Sequence, residues 1–236
     1  MIFVQNRKTN SMRMKTYFTL LLMLGSLLNL LAQPFEGKIT FSISFPTITD
    51  PQTAAMLPKE ATAFFKKGKS RMEMNMAMGM KQTTISDAES KKSVTLMDMM
   101  GQKYAIVSDM EDDSDKEAKE LAEKAKVKIS GETKKIAGYN CQKAILTYPD
   151  PNQDNKEVSM TLWFTEELEA DKGYMSGPMS KIKGAVLEYS IDQGVMSMIL
   201  SATSVTKEAV ADQLFVAPPE YKQMTQEELQ KMMGGR

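Results

Sequence analysis

Phe35-Glu36-Gly37-Lys38-Ile39-Thr40-Phe41-Ser42-Ile43-Ser44-Phe45 is the stretch that decides the fold class. Phe35, Ile39, Phe41, Ile43 and Phe45 alternate with Glu36, Lys38, Thr40, Ser42 and Ser44. Successive side chains leave a strand on opposite sides, so this period of two predicts a strand with one buried face. Pro46, Asp50 and Pro51 end it. Residues 53–67 then read as a short amphipathic helix, interrupted at Pro58 and stopped by Gly68.

Downstream, strands are predicted at 70–79, 81–87, 92–99 and 102–108, most simply as a meander. A second group is expected at 127–136, 142–148, 157–165, 184–191 and 195–206. Pro, Gly, Asn and Asp mark loops at 149–155 and 173–178. Between the groups, residues 109–128 carry acids at the start and lysines at the end, with Asp115/Lys119 and Glu120/Lys124 four apart. A helix dipole and surface pairing favour that layout, and Ala118, Leu121, Ala122 and Ala125 give the helix a thin apolar stripe. Near the end, Pro218-Pro219 forbids regular pairing, and Thr225 with Glu228 matches a capping box opening a short terminal helix.

These elements predict an α+β fold: a strongly curved antiparallel sheet, a half-barrel of about eight to eleven strands, with short helices over its concave apolar face. One β-rich domain spans 33–236, with a short helical tail. Ahead of it, residues 1–32 hold Arg7, Lys8, Arg13 and Lys15, no acid, and an apolar run from Tyr17 to Leu31 closed by Ala32. This is the layout of a cleaved secretory signal, and the run is too short and too interrupted for a stable membrane span. Cleavage after Ala32 leaves 26 basic against 30 acidic side chains, a net charge of −4. That balance argues against nucleic acid. No cysteine follows the apolar run, so the expected mature protein starts near Gln33 without an acyl anchor.

Of 236 residues none is histidine, which removes imidazole-based nucleophile systems and most zinc sites. The single cysteine, Cys141, excludes an internal disulfide. It lies in Gly138-Tyr139-Asn140-Cys141, a turn entering a strand, and reads as a small buried residue rather than a nucleophile. Trp163 in Leu162-Trp163-Phe164 reads as a packing anchor. Asp109, Glu111, Asp113, Glu117 and Glu120 have the spacing of a calcium loop, but Ser114 holds the position where the sharp turn wants glycine, so a solvated charged helix explains them better.

The most unusual run is Met72-Glu73-Met74-Asn75-Met76-Ala77-Met78-Gly79-Met80, in a chain with 22 methionines. On one strand, Met72, Met74, Met76, Met78 and Met80 would share a face. Thioethers are flexible and polarizable, so the row suits core packing or the lining of a lipophilic groove; a Cu(I) or Ag(I) site is the minor alternative.

The stretch Glu132-Thr133-Lys134-Lys135-Ile136-Ala137-Gly138-Tyr139-Asn140-Cys141-Gln142-Lys143 resembles the signature of an uncharacterised family of exported bacterial envelope proteins, a domain of unknown function. Leu162-Trp163-Phe164-Thr165 and the segment from Phe215-Val216-Ala217-Pro218 to Tyr221 resemble its later landmarks. More remotely, the expected architecture is similar to the lipoprotein carriers LolA and LolB, which implies a curved sheet with helices over its apolar hollow; no functional residue carries over. The function expected is therefore non-enzymatic. In it, an exported protein of the periplasm or outer membrane binds a lipid, acyl chain or apolar protein segment in a methionine-lined groove, with no cofactor and no catalytic residue. A structural adaptor with a filled core is the alternative.

Overall fold

In the computed structural model, the described residues are 34–225 without 100, 110–112, 152, 154–155, 170–176 and 193–195, together with 228, 229 and 231. The apolar leader expected at 1–32 lies outside them. The chain runs β1 (Gly37–Ser44), α1 (Pro51–Met56), β2 (Glu60–Lys66), β3 (Lys69–Asn75), β4 (Lys81–Asp87), β5 (Lys92–Met99), β6 (Gln102–Asp109), α2 (Asp113–Lys124), β7 (Lys126–Ile136), β8 (Tyr139–Pro149), β9 (Glu157–Thr165), β10 (Ala185–Asp192), β11 (Ser197–Lys207) and β12 (Lys222–Met224). Short 3-10 segments lie at Ala77–Gly79, Gly177–Lys181 and Asp212–Phe215.

All twelve strands belong to one sheet, in the order β12-β6-β5-β4-β3-β2-β1-β11-β10-β9-β8-β7. Two antiparallel meanders meet where β11 pairs with β1, and β12 adds in parallel to β6. The sequence sets the curvature through α2. Ten inter-strand steps separate β6 from β7, about 48 Å if flat at about 4.8 Å per step. The link from Asp109 to Lys126, twelve of whose residues are helical, reaches at most about 37 Å at about 1.5 Å per helical and about 3.4 Å per extended residue. The sheet has to curl for its ends to be joined.

The protein is mostly β, and one helix expectation is corrected. Residues 53–67 do not form one helix: α1 stops at Met56, and Glu60–Lys66 is a strand paired on both sides, Ala63 facing Ile39 on β1 and Met72 on β3. Ala61, Ala63 and Phe65 are buried while Thr62, Phe64 and Lys66 are less so, a period of two that the alanines disguised. The turn after it, Lys67-Gly68, has both residues in the left-handed region (φ 47° and 83°), the geometry of a two-residue hairpin. Gly68 closes a hairpin and does not stop a helix.

Three apolar clusters hold the sheet. The first joins Ile39, Phe41, Ile43, Ala61, Ala63 and Phe65 to Leu187, Leu200 and Cys141, with Phe45, Met72 and Met74 packed on it. The second, around Ala144, Leu146, Leu162 and Phe164, takes Ala125 and Ile182, so α2 and the Gly177–Lys181 segment pack on this part of the sheet, where α2 also meets β8.

The third cluster corrects the expectation of a single apolar face. Ile85, Leu96 and Ala105 pack against Phe215, Ala217 and Tyr221. Ile85 is the cross-strand partner of Arg71, so this cluster lies on the side opposite Met72 and Met74. The strap after β11 covers it and is tied down by charge. Lys66 Nζ donates to the Val210 carbonyl at 2.7 Å and pairs with Asp212 at 2.9 Å, while Arg71 Nη1 donates to the Leu214 carbonyl at 2.8 Å. Beyond β12 the capping box is formed. Thr225 N–H donates to Glu228 Oε2 at 2.8 Å and Glu228 N–H to Thr225 Oγ1 at 3.1 Å. Among the described residues no helix is long and apolar enough to cross a membrane.

Candidate functional site

The methionine run does not form the single strand expected of it. β3 ends at Asn75, and Ala77–Gly79 is a 3-10 turn between Met76 and Met80. Gly79 takes φ +73°, a left-handed conformation that a continuing strand would not contain. Met72 and Met74 lie on β3 and pack against the first cluster. Met76 is 38 % exposed at the mouth of the hairpin, Met80 is half-buried, and the side chain of Met78 lies outside the described residues.

What the fold adds beside this hairpin is a cavity. Its volume is about 310 Å³, and Ile43, Phe45, Ala54, Leu57 and Pro58 line it with Ser44 and Lys59. Five of these seven are apolar, and Ile43 and Phe45 belong to or pack on the first cluster, so the pocket continues the core outward at one end of the sheet. Its roof is α1. Asp50 caps that helix, its Oδ2 accepting from the Thr53 N–H at 2.7 Å and from the Thr53 hydroxyl at 2.6 Å. These bonds hold the Asp50 carboxyl below the ordinary carboxylate range. α1 has no buried residue and rests near the Ala77–Gly79 turn, so little apolar packing holds the roof down.

The sequence hid this pocket because its lining comes from the end of β1 and from a segment read as one helix. The Pro51 and Pro58 that frame α1 were the available signal, since both break regular structure.

A larger cavity of about 410 Å³ lies at the ends of β8 and β9, lined by Thr133, Asn140, Cys141, Gln142, Phe164, Thr165, Glu166 and Glu167. Six of its eight lining residues are polar in type although the surface they present to the cavity is mostly apolar, and Asn140 donates to Glu167 Oε1 at 3.2 Å through both its backbone N–H and its side chain. Cys141 is fully buried, and burial pushes its thiol up to about 11. A neutral buried thiol is a poor nucleophile. Beside it, Trp163 is half-buried with the Lys134 ammonium 4.3 Å from its ring centre. Glu117 and Glu120, from the calcium-loop spacing, are exposed on α2, where Glu120 pairs with Lys124 at 3.8 Å. Side chains 109–113 of that spacing lie outside the described residues.

The profile of a domain of unknown function, DUF4412, matches residues 35–221. The chain belongs to this family. The matched stretch runs from β1 through the strap as far as Tyr221, so β12 and the capping box lie beyond it. No curated protein matches the chain.

Among solved structures it is similar to PNGF-II in two crystal forms, at 18 % and 19 % identity with TM-scores of 0.51 and 0.50. Those matches cover 86 % and 84 % of this chain but only 34 % and 32 % of PNGF-II. The DUF4412 chain therefore spans about a third of that protein, and the likeness is one of fold alone. Weaker likenesses are LprF from Mycobacterium bovis (11 % identity, TM-score 0.36, 75 % of this chain and 88 % of that one) and a β-barrel-like DUF1849 protein from Brucella abortus (9 %, 0.39, 75 % and 99 %).

Proposed function

We propose that this DUF4412 protein is a non-enzymatic binding protein that takes an acyl chain or similar lipophilic segment into the pocket beneath α1. The observation that carries the reading is the continuity of an apolar cavity with the first core cluster under a helix that buries nothing of its own. A volume of about 310 Å³ is at the small end of ligand pockets, enough for one chain rather than a bulky ring system. Met72 and Met74 pack on the same core cluster as Ile43 and Phe45, and the Ala77–Gly79 turn of the methionine hairpin contacts α1, where thioethers would adapt to guests of different shape. Lys59 is the one charged lining residue and would meet an anionic headgroup. At about 25 cal/mol per Å², a guest losing about 200 Å² of apolar surface gains about 5 kcal/mol before association costs. Helix movement, α1 lifting from the hairpin turn, would open the path.

The leader at 1–32 supports an exported protein of the periplasm or outer membrane, unanchored after cleavage, whose partners are lipophilic ligands or envelope proteins. Absence of histidine and a neutral, buried Cys141 support a non-catalytic role. Fully buried Phe41, Leu162 and Leu187 favour the adaptor as second reading, since the sheet interior away from the pocket is filled.

Native mass spectrometry of the gently purified protein, followed by titration with a fluorescent fatty acid, tests the proposal. Expected are an adduct of lipid mass or saturable probe binding, and loss of both in Ala54→Trp, whose indole would fill the cavity. A clean protein mass with no saturable probe binding overturns it.

A further inference from the structure

The sheet brings together methionines that the sequence keeps apart. Gln82 on β4 faces Met97 on β5 and Met74 on β3, and Met97 in turn faces Tyr104 on β6. Lys81 faces both Asn75 and Asp98, so one step further along each strand Met80 lies between Met76 and Met99. Two observations fix that step on the β3 side, and on the β5 side it continues the β4–β5 register by one residue beyond Lys81 and Asp98. Met76 N–H donates to the Met80 carbonyl at 2.8 Å, and both residues keep extended backbone (φ/ψ −100/171° and −74/138°). Alternation is thus maintained, and Met76, Met80 and Met99 project on the same side as Met74 and Met97.

Directly opposed residues on a sheet have Cβ atoms about 5 Å apart, and a methionine has three rotatable bonds beyond Cα. Three neighbouring thioethers can therefore converge on one atom. The charged neighbours Lys81, Asp98 and Glu73 lie on the other side of the sheet, where Lys81 pairs with Glu73 at 2.8 Å. On the methionine side, positions 82, 97, 102 and 104 of β4, β5 and β6 are Gln, Met, Gln and Tyr, all neutral.

We propose that Met76, Met80 and Met99, side by side at the ends of β3, β4 and β5, form a three-thioether site for a soft monovalent cation, Cu(I) or Ag(I). Met74 and Met97 in the next row stand ready to complete the coordination. Soft thioethers select such ions over Zn(II), Mg(II) or Ca(II), which prefer nitrogen and oxygen. The proposal is independent of the lipophilic pocket, because leucine would serve an apolar guest as well as methionine does but cannot ligate a metal.

The test is anaerobic Cu(I) titration of the full-length protein against bicinchoninate, read by the absorbance of the chelator complex. Wild type is expected to withdraw one equivalent of Cu(I), and the Met76→Leu/Met80→Leu/Met99→Leu variant to bind at least tenfold more weakly. A control variant, Met196→Leu/Met198→Leu just before β11 and at its start, is expected to match wild type, and Zn(II) to bind neither. Thermal unfolding of the triple variant, expected within a few degrees of wild type because the swaps conserve volume, separates loss of ligands from loss of fold. Failure of wild type to compete for Cu(I), or equal competition by a folded triple variant, overturns the proposal.

Discussion

Lys134 on β7 lies with its ammonium 4.3 Å from the centre of the Trp163 ring on β9, and the same group donates to Glu188 Oε1 on β10 at 2.7 Å. One side chain thus spans three strand intervals and clips the edge of the sheet to its interior. Lys143, on the intervening strand, stands 6.0 Å from the same ring. Lys134→Met keeps the aliphatic stem and removes both the cation–π contact and the charge-assisted hydrogen bond, and should cost about 1–2 kcal/mol. Urea unfolding should show a lower midpoint at unchanged slope, with a difference from wild type that shrinks in high salt. An unchanged midpoint would mean that the contact contributes nothing net.

Gly184, entering β10, has φ +90°, and a Cβ built there would lie 2.1 Å from the Thr165 carbonyl oxygen. The atoms it would meet, the Thr165 carbonyl and the Glu166 Cα, are backbone and cannot move aside. Gly184→Ala should therefore destabilise by more than about 1 kcal/mol, the reverse of the gain expected where alanine fits. Gly101→Ala is the contrast: its φ is +87° but nothing stands within 4 Å, so it should cost less. Equal losses in thermal unfolding would show that steric contact at Thr165 is not the cause.

Cys141 turns burial into a pH dependence. Burial disfavours the thiolate and pushes the thiol up to about 11 in the folded protein against an ordinary 9.0, outweighing the opposing pull of the Ile136 backbone and the Lys134 ammonium. Below pH 9 the thiol is neutral in both states and contributes no pH dependence. As pH rises from 9 toward 11 the unfolded chain ionises first, so stability falls across that window. Cys141→Ala should remove this component: the stability difference between wild type and variant should change between pH 9 and 11 and stay constant between 6 and 8. The native thiol should also resist a disulfide reagent at pH 8 until denaturant is added; rapid labelling of folded protein would contradict its burial.

How much of this was legible in the sequence depends on where the structural signal resides. β1, β4, β5, β6 and β9 follow from local alternation or β-forming runs, and the observed bounds fall within about two residues of those read from the chain. Family membership was legible in the Glu132 to Lys143 stretch, which forms the β7–β8 hairpin turn. β2 was missed because Ala61 and Ala63, small residues compatible with a helix, are placed by pairing with β1 and β3 and not by their own propensity. β12 was missed because three residues carry no period at all, and its pairing with β6 is a property of the returning chain. The methionine row was seen but its geometry was not: Gly79 turns the chain back, and the partners Met97 and Met99 arrive from a strand some twenty residues away. The pocket under α1 exists only once β1 and the segment after it are folded together.

The roof of that pocket gives the last prediction. Asp50 is the side-chain cap at the N-terminus of α1, and hydrogen bonds from the Thr53 hydroxyl and N–H hold its carboxyl below the ordinary range. A carboxyl lowered in the folded state stabilises above its unfolded pKa, and that contribution is lost as pH falls through the folded value. If α1 is the roof, weakening the cap should speed guest exchange without unfolding the sheet, because α1 buries nothing. Asp50→Ala should raise the release rate of a fluorescent fatty acid severalfold at neutral pH while leaving the global unfolding midpoint nearly unchanged. In wild type the same acceleration should appear only at acid pH, below the ordinary carboxylate range, where Asp50 itself becomes protonated. Asp50→Asn, whose side-chain oxygen can still accept from Thr53, should stay close to wild type at neutral pH and lose the acid-induced acceleration. Identical release rates for wild type and Asp50→Ala would place the entrance somewhere other than under α1.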